Sequence, residues 1–230
     1  MTVQIRHTPL QYRAVGEIAA AMPGAVDVFR KYNVNFCCRG HLALDEAARQ
    51  RGIETAELAA ALDALEEMET VTGSPANWSS DALIDHIQTR FHETHRRELV
   101  ELIELSRKVE AVHAEHPRVP RGLARLLRQL QGEIEVHMKK EELILFPAMR
   151  RRAGGGLDEP ISRMRHEHGD HGDFLDQLAT MTESFTTPDG ACRSWQALYA
   201  GLAKFTGDMM DHVHLENFVL FPRYEEPATS

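Results

Sequence analysis

One pattern occurs twice in this chain and narrows what it can fold into. His-x3-Glu-x4-Phe-Pro runs from His137 through Glu141 and Phe146 to Pro147, and again from His212 through Glu216 and Phe221 to Pro222, each residue displaced by 75 positions. A histidine and a carboxylate four apart on a helix stand one turn from each other on the same face. Each copy therefore presents a pair of metal-ligating side chains, and two such helices can close around one metal centre. The repeat extends outward at the same offset, pairing Leu127 with Leu202, Leu130 with Phe205, Glu133 with Asp208 and Ile134 with Met209. A second pair of segments repeats at an offset of 76: His92-x2-His95 with His168-x2-His171, Leu99 with Leu175, Leu102 with Leu178. The carboxy-terminal part reads as a duplicated helical hairpin.

Helix is the expectation almost throughout, because Ala, Leu, Glu, Arg and Met dominate the long segments and alternating β-branched runs are absent. Short helices are expected over 9–21, 23–33, 41–51 and 55–70. The polar stretch 71–79, with Gly and Pro, is the best linker in the chain. Ser80 is the expected N-cap of a helix reaching about residue 115. Further helices are expected from about 121 to the Phe146-Pro147 region, with a kinked continuation towards Arg152, from about 159 to 185, and from about 191 to 225, followed by a polar tail. The breaks are His116 to Pro120, Ala153 to Gly156 and Thr186 to Gly190. Four long helices with short breaks imply an all-α, up-down-up-down four-helix bundle over 80–226. A linker at 73–79 joins it to a small helical N-terminal domain over 1–72.

The height of each histidine follows from about 1.5 Å of rise per residue. His92 lies roughly 18 Å from the start of its helix and His168 roughly 14 Å from the start of its own; His137 and His212 lie roughly 15 Å before their Phe-Pro pairs. In an antiparallel bundle those starts and ends share one side, so the four histidines fall at one level near one end. Six ligands converge: His92, His137, Glu141, His168, His212 and Glu216. Four imidazoles and two carboxylates exceed one tetrahedral zinc, and the set is not the all-oxygen one of calcium or magnesium. Two metals, each with two imidazoles and sharing two bridging carboxylates, fit the count. Nitrogen and oxygen donors with open positions suit iron, with manganese as runner-up. Ferritin-like bundles use Glu-x-x-His with further glutamates; the order here is His-x3-Glu.

At 230 residues, 43% hydrophobic and 27% charged, the chain has the composition of an ordinary globular protein. A net charge of -9 argues against a nucleic-acid partner held by a basic surface. The first fifteen residues lack a signal-peptide core and no run of eighteen apolar residues occurs, so a cytoplasmic protein with no membrane partner is expected. Three cysteines, two of them adjacent, are not a disulfide framework.

The bundle resembles a hemerythrin-like domain, and nearly the whole chain resembles the di-iron Repair of Iron Centers (RIC, ScdA-type) proteins. The marks are Arg90-Phe91-His92, His137-Met-Lys-Lys-Glu141 running on to Phe146-Pro147, Glu167-His168, and Asp211-His212 running on through Glu216 to Phe221-Pro222. In the N-terminal domain they are Phe29-Arg-Lys-Tyr32 and Asn35-Phe-Cys37-Cys38-x-Gly40. The resemblance implies two iron ions per chain, bridged by Glu141, Glu216 and an oxo or hydroxo group. It implies repair of iron–sulfur clusters damaged by nitrosative or oxidative stress, with iron supply as one mechanism, and damaged iron–sulfur proteins or cluster scaffold proteins as partners. Reduction of nitric oxide to nitrous oxide at the iron pair is the alternative activity; hemerythrin-like binding or sensing of dioxygen or nitric oxide stands behind it. Arg39 and Ala43 depart from the family pattern, where small residues and a Ser or Thr are common. Oxygen-carrying hemerythrins place a second histidine at the position of Gly172; His171 is one residue short of it.

Other residues carry two readings. Glu133 and Glu167 are surface carboxylates or an acidic route for protons or iron. His95 and His171 are expected to make hydrogen bonds inside the bundle behind the ligands. His86, His166 and His214 lie off the ligand face and are expected in solvent; His113 and His116 are placed in the last turn of their helix, where positive charge is favourable. Cys37 and Cys38 are expected between a helix end and the next helix start, where a helix N-terminus and Arg39 would lower a thiol pKa. Their functional reading is thiol exchange or metal transfer, without a bridge between them. Cys192, near the start of the last helix, reads as a packing residue.

Overall fold

A computed structural model describes residues 8–22, 24–65, 75–151 and 156–225. Its long helices follow the apolar stripe of the sequence. In the third, Ile161, Met164, His168, His171, Leu175 and Leu178 are buried at alternating spacings of three and four. In the fourth, Trp195, Leu198, Leu202, Phe205, Met209 and His212 do the same. This is the core-facing seam of a bundle helix. His168, His171 and His212 occupy positions of that seam, so the packing that buries the leucines also buries these imidazoles.

The first long helix is built from α5 (Ser80–His86), a π-helical segment Ile87–His92 and α6 (Glu93–Val112). The second comprises α7 (Leu123–Lys140), a π-helical segment Glu141–Leu145 and α8 (Phe146–Arg150). The third is α9 (Asp158–Met181). The fourth is α10 (Arg193–His214), a π-helical segment Leu215–Leu220 and a 3-10 turn Phe221–Arg223. Each packs on the next, and α10 closes the ring against α6. The first hairpin is fixed by Glu110, whose carboxylate accepts from the backbone N–H groups of Gly122 (3.1 Å) and Ala124 (2.8 Å) at the start of α7. No helix among the described residues is long and apolar enough to cross a membrane.

Four short helices precede the bundle: α1 (Val15–Ala21), α2 (Ala25–Lys31), α3 (Leu44–Arg51) and α4 (Thr55–Asp63). They share an apolar core with the far part of the bundle, including Ile18, Phe29, Phe36, Leu44 and Leu58. A second apolar cluster, with Leu83, Phe91, Phe146, Ile161 and Phe221, fills the other end. The docking is shaped by Phe218. A Cβ on Gly16 would lie 2.1 Å from its ring, and one on Gly40 would lie 2.4 Å from it and 2.3 Å from the Phe36 carbonyl oxygen. Only glycine leaves room for that ring.

Several boundaries differ from the sequence reading. Ser79, not Ser80, caps α5, its hydroxyl accepting from the Ala82 N–H at 3.1 Å. The second helix does continue past Phe146-Pro147, as α8 to Arg150, close to the expected continuation towards Arg152. α9 stops at Met181 rather than 185, because Glu183, Ser184 and Phe185 all adopt left-handed φ. The first long helix ends at Val112, so His113 and His116 lie beyond it, packed on Trp195. The linker expected at 73–79 and the break at 153–156 lie partly outside the described residues, as does the tail after 225.

Candidate metal centre

The polar layer between the two apolar clusters is made by all six residues expected there. His92, Glu141, His212 and Glu216 offer ligand atoms within 4.8 Å of one another, and so do His137, Glu141, His168 and Glu216. All six are buried. The Nε2 atoms of His92 and His212 are 3.1 Å apart, and those of His137 and His168 are 3.0 Å apart. Each carboxylate turns one oxygen to each imidazole pair. Glu216 Oε1 is 3.1 Å from His212 and Oε2 is 3.1 Å from His168; Glu141 Oε2 is 3.5 Å from His92 and Oε1 is 3.3 Å from His137. Three of the long helices pass through π-helical turns here, and two of those turns begin at or beside the glutamates. A π turn is costly and concentrates at functional sites, where it re-aims side chains.

The donor set fits a cation. Both Glu141 oxygens and Glu216 Oε2 are buried with no hydrogen-bond partner. Buried carboxylates without donors cost several kcal/mol in order of magnitude unless paired with positive charge. Burial, and then the neighbouring Glu216, push the Glu141 carboxyl up to about 7. For Glu216 burial acts upward too, but the neighbouring His212 and His168 imidazoles outweigh it and hold it low. Two carboxylates this close do not both ionise easily without a cation between them. Burial and His212 bring His92 down to about 4. Burial also acts downward on His137, but Glu141 and a hydrogen bond to Glu167 overcome it and raise the imidazole to about 10.

Behind the imidazoles sit partners that the sequence reading covered only in part. The Nδ1–H of His92 donates to Glu142 at 2.7 Å, and Arg96 holds that carboxylate with two bonds of 2.9 and 3.0 Å. The Nδ1–H of His137 donates to Glu167 at 2.9 Å, with Lys140 on its other oxygen at 2.6 Å. His168 Nδ1 is 2.9 Å from Asn217 Oδ1, and Asn217 Nδ2 donates to the Cys37 carbonyl at 3.3 Å. His212 Nδ1 has no partner, and the Phe91 ring stacks on that imidazole at 5.4 Å and 9°. Glu142 and Asn217 had a sequence signal: both directly follow a ligand glutamate, at the same offset of 75.

Glu133 is an exposed carboxylate bonded to Gln129, at the mouth of a cleft of 240 Å³ that is also lined by Val136, Lys140, Glu167, Asp170 and His171. The expected hydrogen bonds of His95 and His171 are not formed. Both are buried; neither ring nitrogen of His95 and not the Nδ1 of His171 has a partner, because their neighbours are other rings, Phe91, Phe205 and His212 for His95, His137 and His168 for His171. His166 is exposed as expected and His86 is half-buried between Trp78 and Phe91. His214 is not in solvent. The N-terminal domain covers it with Phe36, and burial lowers its imidazole to about 4.

The lowered thiol pKa is also corrected. Cys37 is buried, and burial pushes its thiol well up. No helix begins until Leu44, and Arg39 turns instead to Asp173 at 3.3 Å and Asp176 at 3.7 Å. The thiols are unbridged, 3.4 Å apart. Cys38 lies against α9: a Cβ on Gly172 would be 2.7 Å from its Cβ, so the position of a second hemerythrin histidine is taken by the close approach of Cys38. Cys192 is more than packing, since its sulfur is 3.1 Å from His113 Nε2 and that bond lowers its thiol pKa.

The sequence of this bundle matches a known family. Residues 83–224 match the Hemerythrin HHE cation binding domain. The chain belongs to that family. Residues 11–66 match ScdA_N, a domain of unknown function (DUF542). Over 214 residues the chain is 42% identical to the iron-sulfur cluster repair protein YtfE of Edwardsiella ictaluri, covering 92% of this chain and 96% of that protein. It is 42% identical to the protein of that name from Musicola paradisiaca, covering 92% and 95%. It is 39% identical to the probable iron-sulfur cluster repair protein of Haemophilus influenzae, covering 91% and 95%. The ScdA-type resemblance drawn from residue motifs is therefore upheld across both parts of this hemerythrin-domain chain.

Proposed function

We propose that this chain repairs damaged iron–sulfur clusters by supplying iron from a centre of two ions. Glu141 and Glu216, with an oxo or hydroxo group, would bridge one ion held by His92 and His212 and another held by His137 and His168. The observation that carries this reading is the pair of buried four-donor clusters sharing the same two carboxylates. Imidazole and carboxylate donors suit iron, and the relatives are named for cluster repair. Bound iron would supply a redox-active Lewis acid.

The protein's own residues prepare the site. Glu142, Glu167 and Asn217 take the Nδ1 protons of three histidines, which leaves the Nε2 lone pairs facing inward. Arg96 and Lys140 hold the two outer carboxylates in place. Glu133, Asp170 and His171 line a surface cleft by which a cation would approach the layer. Cys38, half-buried against α9, together with Cys37 beside it, would be the thiols through which metal or electrons pass to a client. We divide the chain at 1–72, 73–79 and 80–226, and place it in the cytoplasm with damaged iron–sulfur proteins or cluster scaffolds as partners.

The test is anaerobic transfer. An iron–sulfur enzyme inactivated by nitric oxide or peroxide should regain activity when mixed with the iron-loaded chain, which should lose iron in proportion. Recovery with all iron retained contradicts iron supply. Sustained nitrous oxide formation with both irons retained assigns the chain to nitric oxide reduction instead.

A further inference from the structure

The two imidazole pairs are alike in their ligands and unlike in what stands behind them. In the pair His137–His168 both rings have an outer acceptor, Glu167 at 2.9 Å and Asn217 at 2.9 Å. In the pair His92–His212 only His92 has one, Glu142 at 2.7 Å. The duplication shows how the difference arises. Glu142 and Asn217 occupy equivalent positions, each serving the histidine of the neighbouring helix. The residue equivalent to Glu167 is Phe91, 76 positions earlier. Where Glu167 accepts from His137, Phe91 lies flat on His212, and the Nδ1 of His212 is left buried and unpartnered.

An outer acceptor fixes the tautomer and the ring orientation of a ligating histidine and raises its basicity. His212 has none of these aids. Its Nδ1–H cannot be satisfied while Nε2 faces inward, so binding a cation there leaves a donor stranded. Asn217 is also held from outside: its amide nitrogen donates to the Cys37 carbonyl, which turns its oxygen towards His168. We propose that the two metal positions are unequal: the His137–His168 position binds iron more tightly, through the positioning residues Glu167 and Asn217, and the His92–His212 position is the one that gives up its iron first at equilibrium. This rests on the di-iron reading above and specifies which half of the centre supplies the iron.

The experiment is an anaerobic equilibrium titration of the metal-free full chain with ferrous iron against a coloured chelator. Two equivalents should bind, the first about 10–100-fold more tightly than the second, the usual effect of an outer partner on metal affinity. His212→Ala should delete the weaker step and His168→Ala the tighter one. Asn217→Ala should bring the first step towards the second, and Asn217→Asp, which keeps an acceptor oxygen, should preserve the gap; this second variant separates lost positioning from damaged folding. Two equivalents of equal affinity, or loss of the tighter step in His212→Ala, overturn the inequality and leave the di-iron reading standing. Fewer than two equivalents in the unaltered chain overturn the di-iron reading, and the inference with it.

Discussion

On the α7–α9 side of the bundle a surface cleft is lined by Glu133, Asp170, Glu167 and His171, with Glu133 exposed at its mouth. On the α6–α10 side the equivalent of Glu133 is Asp208, which is buried under Arg90 (3.0 and 2.8 Å) and Lys204 (2.8 Å); Lys204 also reaches Glu98 at 2.5 Å. The equivalent of Val136 is Asp211, paired with Arg30 of the N-terminal domain. One half is thus open and has both imidazoles tied from behind; the other is latched and has one imidazole untied. The two halves carry equivalent His2Glu2 groups, and the residues around them differ. The cleft lies on the α7–α9 half. The outer partners also lie on that half, so under the proposed inequality the latch would confine the more weakly held position.

The largest effect should come from the ligands themselves. Replacing His92 and His212 together by alanine removes both imidazoles of one cluster, and the protein should retain at most one iron per chain by metal analysis. Retention of two would show that the ligand set is misassigned. The latch comes next. Arg90→Ala strips two charge-assisted bonds from mostly buried Asp208 and should cost about 1–3 kcal/mol, a fall in Tm of about 2–4 °C per kcal/mol for a chain of this size. It should also speed removal of iron by excess chelator. An unchanged rate would mean that the latched side is no barrier. The smallest effect lies at the cleft mouth. Glu133→Gln with Asp170→Asn removes two exposed negative charges and should slow ferrous iron loading a few-fold at low ionic strength, with little effect at high salt. Measured by stopped flow, equal slowing at both salt concentrations would argue against electrostatic guidance there.

The fold and the six-residue cluster could be read from the chain because the ligands sit on the same seam as the leucines. A repeat at 75 and 76 residues carries both helical phase and height, and those two quantities place His92, His137, His168 and His212 in one layer. What escaped the reading depended on contacts between distant segments. His214 is off the ligand face by phase, yet docking of the N-terminal domain buries it against Phe36. Cys37 is raised rather than lowered for the same reason, since the short helices bury it and no helix start stands beside it. Gly40 was part of a recognisable motif, but only the folded contacts with the Phe36 carbonyl oxygen and the Phe218 ring explain why it must be glycine. The π-helical turns are invisible to a 3.6-residue period, and they let the chain pass through Phe146-Pro147 without ending. Glu142 and Asn217 could have been noticed as polar residues repeated in register beside Glu141 and Glu216; the loss of an equivalent to Glu167 at Phe91 could have been noticed in the same way.

Two cations are proposed to share Glu141 and Glu216. Anomalous diffraction at the iron edge from crystals of the iron-loaded chain addresses it directly. Two peaks per chain are expected, both against Glu141 and Glu216, one beside the Nε2 atoms of His92 and His212 and the other beside those of His137 and His168. A single peak, or peaks away from these six side chains, would contradict it.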